Sequence, residues 1–199
     1  MKVLADTNNC GLERNVYICG METKSDIEMM ARVADGAARV AGARLVLMCG
    51  ISGSGKTVLS REMERVAGYT RVSMDEIIWE RYGDAFTHIA AEERPAAFMA
   101  AGKVLQRRVE EALRADVDAR VVVDATMCKH VKRAAMREVA TRCGTCALVV
   151  YLPVPPDVLQ ERLSHRTGHG PHDQIIPAAD LAGFLRGFQR PQTPPLLIL

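Results

Sequence analysis

The chain has 199 residues and a formal net charge of +2, with 48% apolar and 25% charged residues. This length is enough for one domain with its own hydrophobic core, and the composition excludes an intrinsically disordered chain. The near balance of charge excludes a strong overall attraction to nucleic acid or membranes, and no stretch approaches the roughly 18 apolar residues of a membrane span. Because the first residues also lack the apolar core of a signal peptide, we expect a cytoplasmic protein.

Residues 1–43 come before the first clear strand, and we predict that they form an N-terminal extension whose role the sequence does not reveal. Ser25 and Glu28 have the spacing of a capping box, which predicts a helix from there to about Val40. A short strand is predicted at residues 15–19. The rest of the chain, residues 44–199, is predicted to form the main domain.

Strand-like and helix-like segments alternate along the main domain. This alternation predicts an α/β fold in which helices cover both faces of a parallel sheet of about five strands. Residues 167–176 contain two glycines, a proline and two histidines without apolar periodicity, which predicts a mobile loop. The predicted strands are residues 44–49, 69–73, 120–124, 147–152 and 196–199, and the predicted helices are residues 56–66, 75–82, 92–115, 129–142, 155–166 and 177–189.

A glycine-rich segment, which we call the glycine loop, follows the first of these strands directly and leads into a helix. Its residues 50–57 have the pattern Gly-x-x-x-x-Gly-Lys-Thr, and this order of strand, loop and helix is typical of a P-loop that binds nucleotide phosphates. Loop amides and the positive end of the helix hold the phosphates, the Lys56 ammonium reaches the β- and γ-phosphates, and the Thr57 hydroxyl is a ligand for Mg²⁺. The motif therefore predicts binding of ATP or GTP with Mg²⁺. The predicted nucleotide-binding residues are Gly50, Ser52, Gly53, Ser54, Gly55, Lys56 and Thr57.

Two aspartates follow the next two strands, at the edge of the sheet where α/β folds bind their ligands. Asp75 is placed to accept the proton of an attacking hydroxyl group, which is the role of the base in a kinase. It is also placed to be the N-cap of the following helix, and the two roles are compatible. Asp124 follows three valines, so its ionised carboxylate needs a partner, and Mg²⁺, a salt bridge and an N-cap role are the alternatives.

Arg162 and Arg166 lie just before the predicted mobile loop. Their spacing of four places them on one face of the predicted helix. We predict a lid near residues 166–176 whose arginines neutralise charge on the transferred phosphoryl group. The alternative is that they are exposed helical arginines, one of them paired with Glu161.

The order of these motifs resembles a known family. The glycine loop, Asp75 after a serine, Asp124 within Val-Val-Asp-Ala-Thr, and Arg162 and Arg166 before a loop are together similar to the kinase half of phage-type polynucleotide kinases. The resemblance includes the related predicted ATP-dependent kinases, and zeta toxins and chloramphenicol phosphotransferase are more distant relatives. The resemblance extends over about residues 44–199. It implies a base at Asp75, a second active-site acid at Asp124 and a lid arginine at Arg166 or Arg162.

The chain departs from this family at one position. Polynucleotide kinases of this type carry an arginine three residues after the base, where this chain has Ile78, and the nearest arginine is Arg81. The departure argues against nucleic acid as the acceptor. Gluconate kinase shares a similar glycine loop, but its histidine-bearing segment after the second strand is absent from this sequence.

These features predict an ATP-dependent kinase that transfers the γ-phosphoryl group of ATP to a hydroxyl group. The acceptor is a small molecule or the 5′-hydroxyl of a polynucleotide, and the sequence does not choose between them. The alternative is a regulatory or binding P-loop NTPase in which the nucleotide state controls a partner. The predicted catalytic residues are Lys56, Asp75, Arg162 and Arg166, the predicted metal ligands are Thr57 and Asp124, and the predicted cofactors are ATP and Mg²⁺.

Three weaker features receive structural interpretations. Cys143 and Cys146 have C-x-x-C spacing, but no second pair completes a four-ligand metal site, so we expect a turn there. His172 is expected to be a solvated loop residue. A markedly basic helix follows Asp124, and its face either binds an anionic acceptor or is solvated. Its basic residues are Lys129, Lys132, Arg133 and Arg137.

Overall fold

The computed structural model describes residues 2–4 and 23–199. Within these residues, strands and helices alternate along most of the chain, as the sequence predicts. The strands are β1 Lys2–Leu4, β2 Ala43–Cys49, β3 Thr70–Ser73, β4 Val121–Asp124, β5 Cys146–Tyr151 and β6 Leu196–Ile198, and the helices are α1 Lys24–Val40, α2 Lys56–Ala67, α3 Met74–Tyr82, α4 Ala85–His88, α5 Arg94–Ala115, α6 His130–Arg142, α7 Pro156–Ser164 and α8 Ala178–Arg186.

The strands form a single sheet in the order β1-β6-β5-β2-β4-β3. The five strands from β2 to β6 pair in parallel, which confirms the predicted fold class. β1 was not predicted, and it adds an antiparallel edge by pairing with β6. Three residues are too few to show the alternation of a strand in the sequence, so β1 is recognised only by its pairing with the edge of β6. The predicted strand at residues 15–19 lies outside the described residues.

Two apolar layers cover the faces of the sheet. Neighbouring residues of a strand point to opposite faces, so Val46 of β2 packs with Met30 of α1 and Leu59 of α2, whereas Leu47 packs on the other face with Leu105 of α5. Because β2 is covered on both faces, its side chains from Leu45 to Cys49 are all fully buried. Because β2 lies inside the sheet, the segment that follows it, residues 50–55, lies near the middle of the edge formed by the strand ends.

α1 is anchored by a capping box, but not by the predicted one. The side chain of Thr23 accepts a hydrogen bond from the Asp26 amide at 3.2 Å, and the Asp26 carboxylate accepts one from the Thr23 amide at 3.1 Å. Ser25 therefore lies within the first turn, and Glu28 pairs instead with Arg32. α1 packs on the sheet through small buried residues. The division of the chain at residue 43 stays a prediction.

The helices near the lid also differ from the predicted ones. α7 ends at Ser164, because His165 has φ −87° and ψ 0° and leaves the helix. The prediction that Arg162 and Arg166 share one helix is therefore wrong, since Arg166 lies in the loop beyond it. α4 was not predicted, and it begins where the Asp84 carboxylate accepts hydrogen bonds from the amides of the next turn.

Candidate active site

The glycine loop joins β2 to α2 at the carboxyl end of the central strand. In the sheet, β4 and β3 lie on one side of β2 and β5 and β6 lie on the other, so the loop lies at the topological switch point of the sheet. Ligands of open α/β sheets bind at this point. The fold therefore places the predicted phosphate site where such a site belongs.

Two glycines are required by the geometry of the loop. A Cβ on Gly50 would lie 2.5 Å from Ser54 Oγ and 3.0 Å from the Leu152 carbonyl oxygen, which is too close for any side chain. Gly55 has φ 92° and is the N-cap of α2 without a side-chain hydrogen bond to the first turn. The first amides of α2 thus have no side-chain cap to compete with a phosphate.

Lys56 begins α2 and is buried, with 7% of its surface exposed. Its Nζ donates hydrogen bonds to the Ile51 carbonyl at 2.8 Å and to Ser54 Oγ at 3.4 Å. Burial lowers the pKa of Lys56 below the ordinary range of a lysine, and the carboxylates of Asp124 and Asp75 oppose this shift. A desolvated ammonium at a helix N-terminus is a strong site for an anion.

Thr57 and Asp124 meet at the end of β4. Thr57 Oγ1 donates a hydrogen bond to Asp124 Oδ1 at 3.2 Å, and Arg71 Nη1 of β3 donates to Asp124 Oδ2 at 3.0 Å. The salt bridge with Arg71 compensates the negative charge of the buried Asp124 carboxylate. A salt bridge was one of the three partners that the sequence allowed for this residue. A hydroxyl and a carboxylate oxygen side by side also fit Mg²⁺, which prefers few protein oxygens together with phosphate and water.

Asp75 lies in the first turn of α3, and the N-cap of that helix is Ser73, whose Oγ accepts a hydrogen bond from Glu76. The interpretation of Asp75 as the N-cap is therefore wrong. Asp75 is exposed and lines a cleft. Desolvation by the protein around it and, second, the Asp124 carboxylate raise the pKa of Asp75, although the positive charge of Lys56 acts against them.

The two predicted lid arginines have different partners. Arg162 Nη1 donates to the Gly53 carbonyl of the glycine loop at 3.1 Å. Arg166 Nη1 donates to the Gln174 carbonyl at 3.1 Å, and Arg166 lines the same cleft as Asp75 and Ser52. Arg162 therefore braces the glycine loop, whereas Arg166 faces the cleft.

A chain of charged side chains connects the predicted lid to the acids of the site, and the sequence did not reveal it. Arg71 contacts both Asp124 and Glu76. Glu76 also contacts His172 of the lid, with 2.9 Å between Glu76 Oε1 and His172 Nε2. His172 is therefore a half-buried residue in contact with Glu76 rather than a solvated one. The available signal was an arginine inside a short predicted strand, since a guanidinium that becomes buried needs acidic partners.

Replacing Arg71 by methionine is expected to lower the free energy of unfolding by about 3–5 kcal/mol, because Asp124 would stay buried without the guanidinium that donates to it. Urea denaturation measures the effect. The matched control is Arg108→Met, because Arg108 pairs with Glu80 at an exposed position where a salt bridge contributes about 0–1 kcal/mol. Equal losses of stability in the two variants would contradict the interpretation that Arg71 and Asp124 form a buried salt bridge.

The basic residues after Asp124 do not form one face. Arg133 is buried and donates to the Met127 carbonyl at 2.7 Å, and Arg137 donates to the Thr193 carbonyl at 2.7 Å. Both arginines thus stabilise backbone segments outside the helix through hydrogen bonds to carbonyl groups. Lys132 is exposed and lines the cleft of Asp75.

The C-x-x-C segment is a turn, as expected. Gly144 has φ 67° between the end of α6 and the start of β5. In the part of the chain that the structure describes, no group of three or more His, Cys, Asp or Glu side chains is arranged to hold a metal ion.

The family assignment rests on a match that covers most of the chain. The family described as an AAA domain matches residues 45–191. The chain belongs to the AAA domain family. The match begins in β2 and extends past α8, so it includes the glycine loop, Asp75, Asp124 and the predicted lid.

Relatives of this AAA domain include a shikimate kinase of Chlorobium phaeovibrioides, which is 31% identical over 124 residues. The aligned part is 62% of this chain and 57% of the relative, so the chain spans little more than half of that protein's length. Among solved structures, Chaetomium thermophilum Kti12 in complex with ADP-AlF3 has a TM-score of 0.58 at 20% identity, with 78% of this chain and 88% of the other covered. A gluconokinase from Sinorhizobium meliloti 1021 has a TM-score of 0.53 at 24% identity, with 80% and 82% covered. The fold of this AAA domain is that of P-loop kinases.

Across residues 2–4 and 23–199, no helix has both the length and the apolar character needed to cross a membrane.

Proposed function

We propose that this AAA domain is an ATP-dependent kinase that transfers the γ-phosphoryl group of ATP to a hydroxyl group of a small molecule. One observation carries the proposal: Asp75 lines a single cleft with Ser52 of the glycine loop and Arg166 of the predicted lid. A base, a phosphate site and a cation around one cleft are the parts that phosphoryl transfer requires.

The glycine loop is the donor site in this proposal. Its amides and the Lys56 ammonium hold the β- and γ-phosphates, and Thr57 and Asp124 would hold Mg²⁺, which neutralises phosphate charge when bound. The contact between Arg162 and the Gly53 carbonyl keeps the loop in shape. Arg166 is the lid cation that faces the phosphoryl group.

Asp75 is the proposed base. The acceptor oxygen forms a bond to the γ-phosphorus while the bond from that phosphorus to the bridging oxygen of ADP breaks, and the acceptor proton passes to the Asp75 carboxylate. A raised pKa suits this step, because a carboxylate with a higher pKa accepts a proton more readily.

The finer resemblance to polynucleotide kinases stays a prediction. Ile78, at the position where those enzymes carry an arginine, is 5% exposed and lines the cleft. This apolar residue favours a small acceptor over a nucleic acid, whose phosphates need cations.

An acceptor screen with γ-labelled ATP tests the proposal. The panel contains hydroxylated metabolites, aryl alcohols and 5′-hydroxyl oligonucleotides, and Lys56→Met is the background control. We expect acceptor-dependent label transfer by the unmodified protein. Slow release of phosphate without any labelled acceptor, sustained across the panel, would support a regulatory NTPase instead.

As the pH is lowered, the rate of transfer is expected to begin falling at a higher pH than it would if Asp75 had the ordinary pKa of an aspartate. Asp75 must be deprotonated to act as the base, and its pKa is raised, so kcat/KM increases with pH as this carboxylate loses its proton. A pH–rate profile measures the acidic limb, and Asp75→Glu separates it from titration of ATP, since only a limb that belongs to residue 75 moves in the variant. An acidic limb near pH 4, about the ordinary aspartate pKa, would contradict the assignment.

A further inference from the structure

The cleft beside Asp75 contains a cavity, which we call the acceptor cavity, of about 140 Å³. A cavity of about 150 Å³ with aliphatic and aromatic walls holds a benzene molecule, so this one admits a ring or a branched chain. Seven of its fourteen lining residues are apolar and come from α3, α4, α5, α8 and the predicted lid. These apolar residues are Met74, Ile78, Phe86, Phe98, Pro171, Ile176 and Phe184.

Three phenylalanines form one side of the acceptor cavity. The ring centroid of Phe86 lies 6.3 Å from that of Phe98 and 6.5 Å from that of Phe184. The guanidinium of Arg94 lies 5.1 Å from the Phe86 centroid and donates to the Phe86 carbonyl, which holds α4 against α5. Tilted rings at these separations make a preformed surface for another aromatic or aliphatic group.

Apart from the hydroxyl groups of Ser52 and Thr126 and the thiol of Cys128, few polar groups of the wall are free to bind an acceptor. The Gln174 side chain accepts a hydrogen bond from the Ala85 amide and donates one to the Pro171 carbonyl, so both ends of its amide are engaged within the protein. Asp75 and Arg166 serve the transfer itself. Lys132 is the remaining charged residue of the wall.

We propose that the acceptor is a hydroxyl compound with an apolar body, an aryl or branched alkyl alcohol that carries at most one anionic group, which Lys132 pairs. The inference rests on the proposed function, because Asp75 is taken as the base that receives the proton of this hydroxyl. A polyhydroxylated acid would place several hydroxyl groups against phenylalanine and isoleucine, where they lose their hydrogen bonds to water. A 5′-hydroxyl nucleic acid would bring more anionic charge than one lysine can pair.

The first experiment compares acceptors by kcat/KM with γ-labelled ATP. Benzyl alcohol and phenylpropanol represent the proposed class, and shikimate, gluconate and a 5′-hydroxyl oligonucleotide represent the others. We expect the aryl alcohols to exceed the other acceptors by about 10²-fold, the discrimination that an apolar pocket achieves against an added hydroxyl group.

Two neighbouring isoleucines of the lid provide a matched pair of variants. Ile176 lines the acceptor cavity, whereas Ile175 is 53% exposed and does not. Ile176→Gln is expected to raise KM for benzyl alcohol about 10-fold with KM for ATP unchanged, and Ile175→Gln is expected to change neither. Saturation-transfer NMR of benzyl alcohol with the ADP-loaded protein reports binding without transfer, and the signal should weaken in Ile176→Gln alone.

The outcomes separate the inference from the proposed function. Asp75-dependent transfer that favours shikimate, gluconate or the oligonucleotide would overturn the inference and leave the kinase function standing. Binding of benzyl alcohol that Ile176→Gln weakens, without transfer to any acceptor, would support an apolar occupant and contradict the kinase function. Absence of both binding and transfer of the aryl alcohols would overturn the inference.

Discussion

Replacing Asp75 by asparagine is expected to lower kcat for phosphoryl transfer about 10²- to 10⁴-fold, which is the usual contribution of a general base. Asparagine keeps the size and the polarity of the side chain but cannot accept the acceptor proton. Since Asp75 is not the N-cap of α3, the helix should begin as before. The dissociation constant for ATP with Mg²⁺, measured by calorimetry, is expected to change by less than threefold, about 0.65 kcal/mol.

The control for this variant lies on the same helix. Glu80 is exposed and pairs with Arg108 outside the cleft, so Glu80→Gln removes a carboxylate of α3 without touching the site. Transfer by Glu80→Gln should equal that of the unmodified protein. If Asp75→Asn retained full acceptor-dependent transfer, another group would have to receive the proton.

Replacing Lys56 by methionine is expected to lower kcat about 10²- to 10³-fold and to weaken ATP binding about 10- to 100-fold. Both effects follow from removing a desolvated, charged donor from the phosphates. The unliganded variant is expected to melt at the same temperature or higher, because burial lowers the pKa of Lys56 and its ammonium is therefore unfavourable in the folded protein without an anion.

Lys103→Met is the matched control, since Lys103 lies exposed on α5. Calorimetric titration with ATP and Mg²⁺ measures the loss of affinity, and thermal unfolding shows that the fold persists. Unchanged ATP affinity in Lys56→Met would contradict the assignment of the glycine loop as the donor site.

The positions of the helices and strands could be predicted from local sequence patterns, but the residues at which several helices begin or end could not. The apolar run of β2 and the three valines of β4 identify buried strands without further information. Helix ends depend on single caps, and the sequence offers more candidates than the fold uses. Ser25 has the right residue type for a cap, yet Thr23 takes that role. In the same way, Ser73 rather than Asp75 begins α3.

The donor and acceptor parts of the site differed in how far they could be predicted. Residues 50–57 are contiguous, and their glycine spacing specifies a backbone shape that is itself the binding site. Asp75 and Asp124 were predicted because the carboxyl ends of parallel strands meet at one edge. The pairing of Arg71 with Asp124 was not predicted, since the two residues are 53 positions apart and the sheet order alone makes β3 and β4 neighbours.

The sequence by itself determined the α/β fold, the phosphate site and the two acids at the sheet edge, because these depend on local periodicity and on a contiguous motif. Only the tertiary structure decided what surrounds them. The contact of Glu76 with His172 joins residues 96 positions apart, and the phenylalanines of the acceptor cavity come from three different helices. Such surfaces form where separate elements pack together, and no spacing along the chain records which side chains will meet.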